Sequence, residues 1–493
     1  MMKGFLGNPC PGLINDFFVC TEPSLHFAIF GDKVRMKESF GLGGQKAGFL
    51  QSDEKTGILL NPDLTRSSRL RKLLSMKKSR ALKIGALLIA SFFVYSIFSF
   101  GTGRFRFPSG LTKKKESTIT RDRLAETIGP FAKFYEFPEE LDFDLGRPER
   151  SRLKVEYTLN SKLQKTMEAL FRSYSPDYGA FVALDAESGK VLSMISYSRE
   201  KGAPGNLALR ASFPSASVFK VVTATAAIES RKIAPDTVIP FNGRNHTLYR
   251  GQILKSNITR WTHFITFKDA FARSINTVFG KVGAFTVGSS GMRTYASRFG
   301  FNRKISADLP VQEGRAPIPD DSWGLAETAS GYTTENTMSP LQGALMAAAV
   351  ANNGVMMEPF FVQSLSRADG SSAYTGAPKV SGVTMDISTA RQIKALMKET
   401  VLRGTSRGSF RGFFKSHFAL LDVGGKTGSL TGYDPKGKYD WFVGYAGSAS
   451  RKIAVAALTI HEKQWRVKSS YLARRAIESF YKEAFDQKSV AKR

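Results

Sequence analysis

Phe213-Pro214-Ser215-Ala216-Ser217-Val218-Phe219-Lys220 leads into an apolar, alanine-rich run, Val221-Val222-Thr223-Ala224-Thr225-Ala226-Ala227-Ile228. A serine and a lysine three residues apart thus stand at the entrance to a predicted helix. Residues i and i+3 share one helical face, so the Lys220 amine can reach the Ser217 hydroxyl. An unaided serine hydroxyl is a poor nucleophile, and a lysine held in a dry pocket can lose its proton and serve as its base. Spacing alone does not decide the matter, because Ser75-Met76-Lys77-Lys78 repeats it inside a basic cluster. The pair takes its meaning from the rest of the chain.

The 493 residues carry 71 Lys and Arg against 42 Asp and Glu, a formal net charge of +29. Such an excess suits nucleic acid or an anionic surface such as a membrane leaflet or a polyanionic wall. No helix-turn-helix, zinc-finger or RNP-like pattern is present, and the densest positive run adjoins an apolar segment. The membrane and wall reading is therefore preferred, with no nucleic-acid partner. Only Cys10 and Cys20 occur, without His or Cys companions at metal spacing. His26, His246, His263, His417 and His461 have no metal-ligand spacing either and read as structural. No cofactor is expected.

Residues 1–65 show no periodicity and read as a tail of low order or as the product of a misassigned start. Arg66 to Lys83 holds eight basic residues and no acid. The uncharged run 84–100 follows, just long enough to cross a bilayer core of about 30 Å as a helix. Bulky Phe98 and Phe100 replace a small-x-small cleavage pattern, so an uncleaved anchor is expected rather than a signal peptide. The positive-inside rule then places everything after Phe100 outside. Residues 101–151 read as a stalk, 152–485 as the main domain and 486–493 as a short tail.

Within the main domain, Leu153, Val155, Tyr157 and Leu159 alternate as a half-buried strand, and Asn160 is a plausible N-cap for a helix burying Leu163, Met167, Leu170 and Phe171. Two apolar runs flank Ala186-Glu187-Ser188-Gly189, a hairpin signal. A helical middle includes Pro340–Ala351. Strands return at 423–428, 440–447 and 453–460 before a helix over 469–485. This order predicts an α+β fold, an antiparallel sheet built from both halves of the chain and flanked by helices, with an all-helical subdomain. One transmembrane helix would precede it.

Two further stretches carry chemistry. Ser274-Ile275-Asn276 follows Phe271-Ala272-Arg273, and Gly424-Gly425-Lys426-Thr427-Gly428-Ser429 sets a lysine among glycines and hydroxyls. Glycines on an edge strand let a substrate backbone come close, and the Ser429 and Ser217 N–H groups could form an oxyanion hole. A phosphate loop would need a glycine, four further residues and then the Gly-Lys pair. Position 420 is Leu, so that template fails.

The ordered set Ser217-Val218-Phe219-Lys220, Ser274-Ile275-Asn276 and Lys426-Thr427-Gly428 resembles the signature of the penicillin-binding proteins and serine β-lactamases. Supporting text covers roughly 152–485, including the 183–192 hairpin, the Met338-Ser339-Pro340-Leu341-Gln342 helix entry, Arg403-Gly404-Thr405 and Asp440-Trp441-Phe442-Val443-Gly444-Tyr445. The resemblance implies a monofunctional D,D-transpeptidase that cross-links peptidoglycan stem peptides. Ser217 would attack the carbonyl between two terminal D-alanines, Lys220 would take its proton, and Ser274 would relay a proton to the leaving amine. Asn276 would hold Lys220 and the substrate amide, and Lys426 would supply positive potential. Thr427 and Ser429 would bind the terminal carboxylate beside Gly428. β-Lactams would acylate Ser217. No glycosyltransferase domain fits between Phe100 and Arg152, so a lipid II polymerase in the same membrane is an expected partner, and the location is the bacterial inner membrane with the enzyme outside. A D,D-carboxypeptidase, a β-lactamase or β-lactam sensor, and a non-catalytic wall-binding protein on the same fold are the alternatives.

Overall fold

The structure, a computed structural model, describes residues 118–145, 150–200, 205–255 and 257–490. The tail, the basic cluster, the anchor and both cysteines lie outside the described residues. Among the described residues no helix is long and apolar enough to cross a membrane.

The domain begins earlier than expected. Half of the supposed stalk is core. Helix α1 (Arg121–Ala132) starts at Thr120, whose side chain accepts from Arg123 N, and buries Leu124, Ile128 and Ala132. Strand β1 (Glu140–Phe143) pairs antiparallel with β2 (Ser151–Tyr157), the half-buried strand read from alternation. Helix α2 (Ser161–Tyr174) is capped by Asn160 as predicted, with Leu163 N donating to Asn160 Oδ1 at 2.8 Å.

The hairpin β3 (Tyr178–Asp185) and β4 (Val191–Ser198) opens the principal sheet, and the nucleophile segment follows it. Ala216–Phe219 forms a 3₁₀ turn, and helix α3 (Lys220–Glu229) starts at the lysine itself. The helical middle comprises α4 (Phe267–Ala272), α5 (Asn276–Lys281), α6 (Gly288–Arg298) and α7 (Ser322–Ser330). Helix α8 (Pro340–Ala351) is buried along its whole length, with Pro340 at its start and the Ser339 side chain accepting from Gln342 N. Two short strands, β5 (Val362–Ser366) and β6 (Ser372–Thr375), complete a small sheet in the order β1-β2-β5-β6. Helix α9 (Ile387–Leu402) leads to β7 (Asp422–Tyr433), β8 (Lys436–Gly447) and β9 (Lys452–His461), and α10 (Ser469–Val490) ends the described chain.

The principal sheet runs β7-β8-β9-β3-β4, antiparallel throughout, so strands from both chain halves meet as β9 pairs with β3. Alternation then sorts the side chains into two faces. Trp441, Val443, Ala454, Ala456 and Val182 join α8 in one core, while Phe442, Val455, Phe181 and Phe171 join α2 and α10 in the other. The sheet is therefore the middle of three layers, and its edge strand β7 keeps one side open.

Candidate active site

A cleft of about 640 Å³ lies along that open edge, with Ser217, Ser274, Asn276, Thr427, Gly428 and Ser429 on its walls. The three motif segments converge there, with Lys426 meeting Ser274 across 152 positions of chain. Every residue singled out in them comes to this place.

Lys220 is fully buried beneath the cleft. Its Nζ donates to Ser217 Oγ at 2.7 Å, to Asn276 Oδ1 at 2.7 Å and to the Ser330 carbonyl at 2.6 Å. Two of those three atoms, the amide and peptide oxygens, can only accept. As an ammonium Lys220 donates to all three; once neutral it keeps two N–H bonds for these two oxygens and one lone pair for the serine hydroxyl, which then becomes the donor. Burial, and then the positive charge of Lys426, push the Lys220 pKa well below its ordinary value. Desolvation disfavours the ammonium, and no carboxylate among the described residues is hydrogen-bonded to Lys220 to restore it.

Lys426 is the second fully buried lysine, pushed down to about 7 by desolvation. Its Nζ donates to Ser274 Oγ at 3.0 Å and to the Thr427 carbonyl at 2.9 Å. Ser274 therefore reaches toward the Lys426 side of the cleft, while Asn276, two residues on, holds Lys220. Asn276 is itself fixed by Nδ2 donating to the His246 carbonyl at 2.9 Å. Ser274 holds this position with φ of +58°, in the left-handed region that a serine seldom occupies.

The nucleophile turn is locked from both sides. Trp441 Nε1, from β8, donates to the Pro214 carbonyl at 2.9 Å. Gly428 lies so close that a Cβ there would come within 3.2 Å of the Ser215 carbonyl oxygen. Gly331, at φ +65°, caps α7 directly over the turn, and a Cβ on it would lie 1.9 Å from the Ala216 carbonyl oxygen.

Several residues of the site have no role legible in the sequence. The Ser330 carbonyl, which orients Lys220, carries no side-chain signature. Thr405 Oγ1 sits 2.5 Å from Thr427 Oγ1, completing a hydroxyl pair with a residue 22 positions away. His246, read as structural, lines the cleft; burial and then the two lysine charges hold its pKa below the ordinary histidine value. Asp440, Lys438 and Lys468 line the cleft as well. Among the described residues no group of three or more His, Cys, Asp or Glu side chains is arranged to hold a metal ion.

A profile of the penicillin binding protein transpeptidase domain matches residues 179–480. The chain is 27% identical over 355 residues to the peptidoglycan D,D-transpeptidase PbpA of Mycobacterium tuberculosis, covering 64% of this chain and 69% of that one. It is 24% identical over 320 residues to the stage V sporulation protein D of Bacillus subtilis, covering 60% of this chain and 47% of that protein. Among solved structures, the penicillin G acyl-enzyme complex of penicillin-binding protein A from M. tuberculosis superposes with a TM-score of 0.53 at 25% identity, over 68% of this chain and 82% of that one. Because the matched profile spans more than half of the residues and ends on the sheet and helices just described, the chain belongs to the penicillin-binding protein transpeptidase family.

Proposed function

We propose that this chain is a serine D,D-transpeptidase that cross-links peptidoglycan stem peptides. The observation that carries the reading is Lys220, fully buried, 2.7 Å from Ser217 Oγ, and held there by the Asn276 and Ser330 oxygens. A substrate peptide would lie along the open side of β7 as an added strand. Ser217 Oγ attacks the carbonyl between the terminal D-alanines as its proton passes to Lys220. The tetrahedral oxyanion is met by the Ser217 and Ser429 N–H groups. Its collapse expels D-alanine, whose nitrogen takes the proton from Lys220 by way of Ser274 Oγ. Lys426 holds Ser274 and lends positive potential, and Thr427, its partner Thr405 and Ser429 receive the terminal carboxylate. An amine from a neighbouring strand then displaces Ser217 from the acyl carbon.

β-Lactams belong to the same reading as acylating mimics, supported by the acyl-enzyme that penicillin G forms with the similar mycobacterial protein. The apolar run 84–100 beside the basic cluster supports a single-pass anchor in the inner membrane, with the enzyme outside and a lipid II polymerase as neighbour. The test is labelling of the purified protein with a fluorescent penicillin, Ser217→Ala beside wild type. Covalent label on wild type and none on the variant is expected, and an unlabelled wild type overturns the reading. Product analysis of a stem-peptide donor with and without an amine acceptor separates cross-linking from hydrolysis by water.

A further inference from the structure

One end of the cleft has no part in the acylation step. Ser429 stands opposite Asp440, and Thr431 opposite Lys438, in the β7–β8 register. Alternate residues share a face, so Asp440 and Lys438 project on the same side of the sheet as Thr427 and Ser429. Asp440 is only 6% exposed yet lines the cleft. One carboxylate oxygen, Oδ2, accepts from Ser469 N at 2.7 Å, at the start of α10. Ser469 Oγ also donates to the Asp440 carbonyl. The Ser469 side chain and its backbone N–H both steady the Asp440 carboxylate on its α10 side, and its other side lies on the cleft wall. Beside it, Lys468 and Lys438 both lie over the Trp465 ring, 3.5 and 5.9 Å from its centroid. A carboxylate on the cleft wall next to two cations held on an aromatic face offers an acceptor and positive charge side by side, the complement of a peptide that carries both an N–H and a carboxylate.

What docks there follows from the direction of the chemistry. Aminolysis of the acyl-enzyme is the reverse of D-alanine expulsion, with a different amine. By microscopic reversibility the incoming nitrogen takes the position the D-alanine nitrogen left, on the Thr427 and Ser429 side. Its nitrogen–carbon bond forms as the bond from the acyl carbon to Ser217 Oγ breaks, and the amine proton returns to Ser217 through Ser274. D-Alanine fills this side no further than its carboxylate. A peptide acceptor must continue past that carboxylate, and on the face that carries the Thr427 and Ser429 side chains the cleft wall continues into Asp440, Lys438 and Lys468.

We propose that Asp440, Lys438 and Lys468 form the acceptor-peptide subsite, with the Asp440 carboxylate taking an N–H of the acceptor and the two lysines its carboxylate. The inference rests on the transpeptidase reading above. It does not enter acylation.

The experiment uses the purified protein with diacetyl-lysyl-D-alanyl-D-alanine as donor and two acceptors. One is isotopically labelled D-alanine, which reaches only the leaving-group position. The other is an N-acetylated stem tetrapeptide with one free side-chain amine and a free terminal carboxylate. Asp440→Asn keeps an oxygen for Ser469 N and removes the charge; Lys468→Met keeps the stem over Trp465. Loss of one charge-assisted hydrogen bond corresponds to about a tenfold fall in coupling to the tetrapeptide for either variant. D-Alanine exchange and fluorescent-penicillin labelling should stay within about twofold of wild type. Equal loss with both acceptors means that Asp440 only supports the fold, and unchanged coupling means that the subsite lies elsewhere; either result overturns the proposal. A wild type that is labelled by penicillin but couples no acceptor also overturns it. An unlabelled wild type removes the acyl-enzyme reading itself, a different failure.

Discussion

Two buried lysines share this cleft, and among the described residues no carboxylate is hydrogen-bonded to either, which sets how the site responds to pH. Each ammonium is disfavoured by burial, and the charge on Lys426 further lowers Lys220. The mechanism needs Lys220 neutral and Lys426 charged, so the protons must leave in that order. Acylation should therefore rise with pH as Lys220 loses its proton and fall again as Lys426 loses its own near 7. Such limbs belong to the coupled pair rather than to one residue. Lys426→Gln removes the charge that depresses Lys220, so the rising limb of the penicillin-acylation profile should move to higher pH. Lys220→Met should lower the acylation rate constant by about 10²–10⁴, the usual contribution of a positioned general base. A Lys426→Gln profile whose rising limb stays in place would show that the two amines do not interact.

At the scale of elements, the site depends on how closely α7, the 3₁₀ turn and β7 approach one another. Gly331 sits where α7 ends in a left-handed residue, with the Ala216 carbonyl against its Cα. Gly331→Ala would place a Cβ 1.9 Å from that oxygen and add about 1 kcal/mol or more of left-handed strain. The turn must shift, carrying Ser217 from Lys220 and the Ser330 carbonyl from its amine. Expected are a lower melting temperature and a loss of penicillin labelling larger than the stability change explains. Full labelling with an unchanged melting temperature would contradict the packing described. This contact also marks what a sequence can and cannot disclose. The hairpin, the Asn160 cap and the last three strands were readable because their signals are local: alternation, a turn, a capping side chain. The motif set located Ser217, Lys220, Ser274, Asn276 and the 426–429 strand through its ordered spacing. The Ser330 carbonyl escaped, and Thr405 and Asp440, though within the stretches that carry the resemblance, have no role legible in the sequence, because each acts through a neighbour made by folding. The early domain start escaped for the same reason, since β1 gains its place only beside β2, whose other partner, β5, lies some 200 residues downstream (Tyr157 beside Val362).

That long-range pairing is secured by one buried acid, which ties the helical middle to the small sheet. Asp308 accepts from Phe361 N at 2.8 Å and from Val362 N at 2.8 Å, where the chain enters β5. Nearby, Arg121 of α1 donates to Glu358 at 2.8 Å, so α1, the loop before β5 and the Asp308 segment are joined at one place. Burial raises the Asp308 carboxyl to about 6, outweighing the two peptide N–H groups and the Arg121 charge that pull it down. The unfolded chain releases this proton near the ordinary value of 3.8, so between 3.8 and 6 the folded state holds more protons. Stability from this group is therefore fully present below 3.8, declines as pH rises toward 6, and is lost above it. A shift of two units corresponds to about 3 kcal/mol across the window. Asp308→Asn stays neutral at every pH and keeps one oxygen for the two N–H donors, so it removes the slope while costing some hydrogen bonding. In urea titrations at pH 4.5, 5.5 and 7, the advantage of wild type over Asp308→Asn should be largest at the lowest pH and shrink steadily. Asp440, also raised to about 6 by burial, is present in both proteins and cancels from that difference. Parallel midpoints at all three values would mean that Asp308 is charged in the fold throughout, and that its N–H partners outweigh its burial.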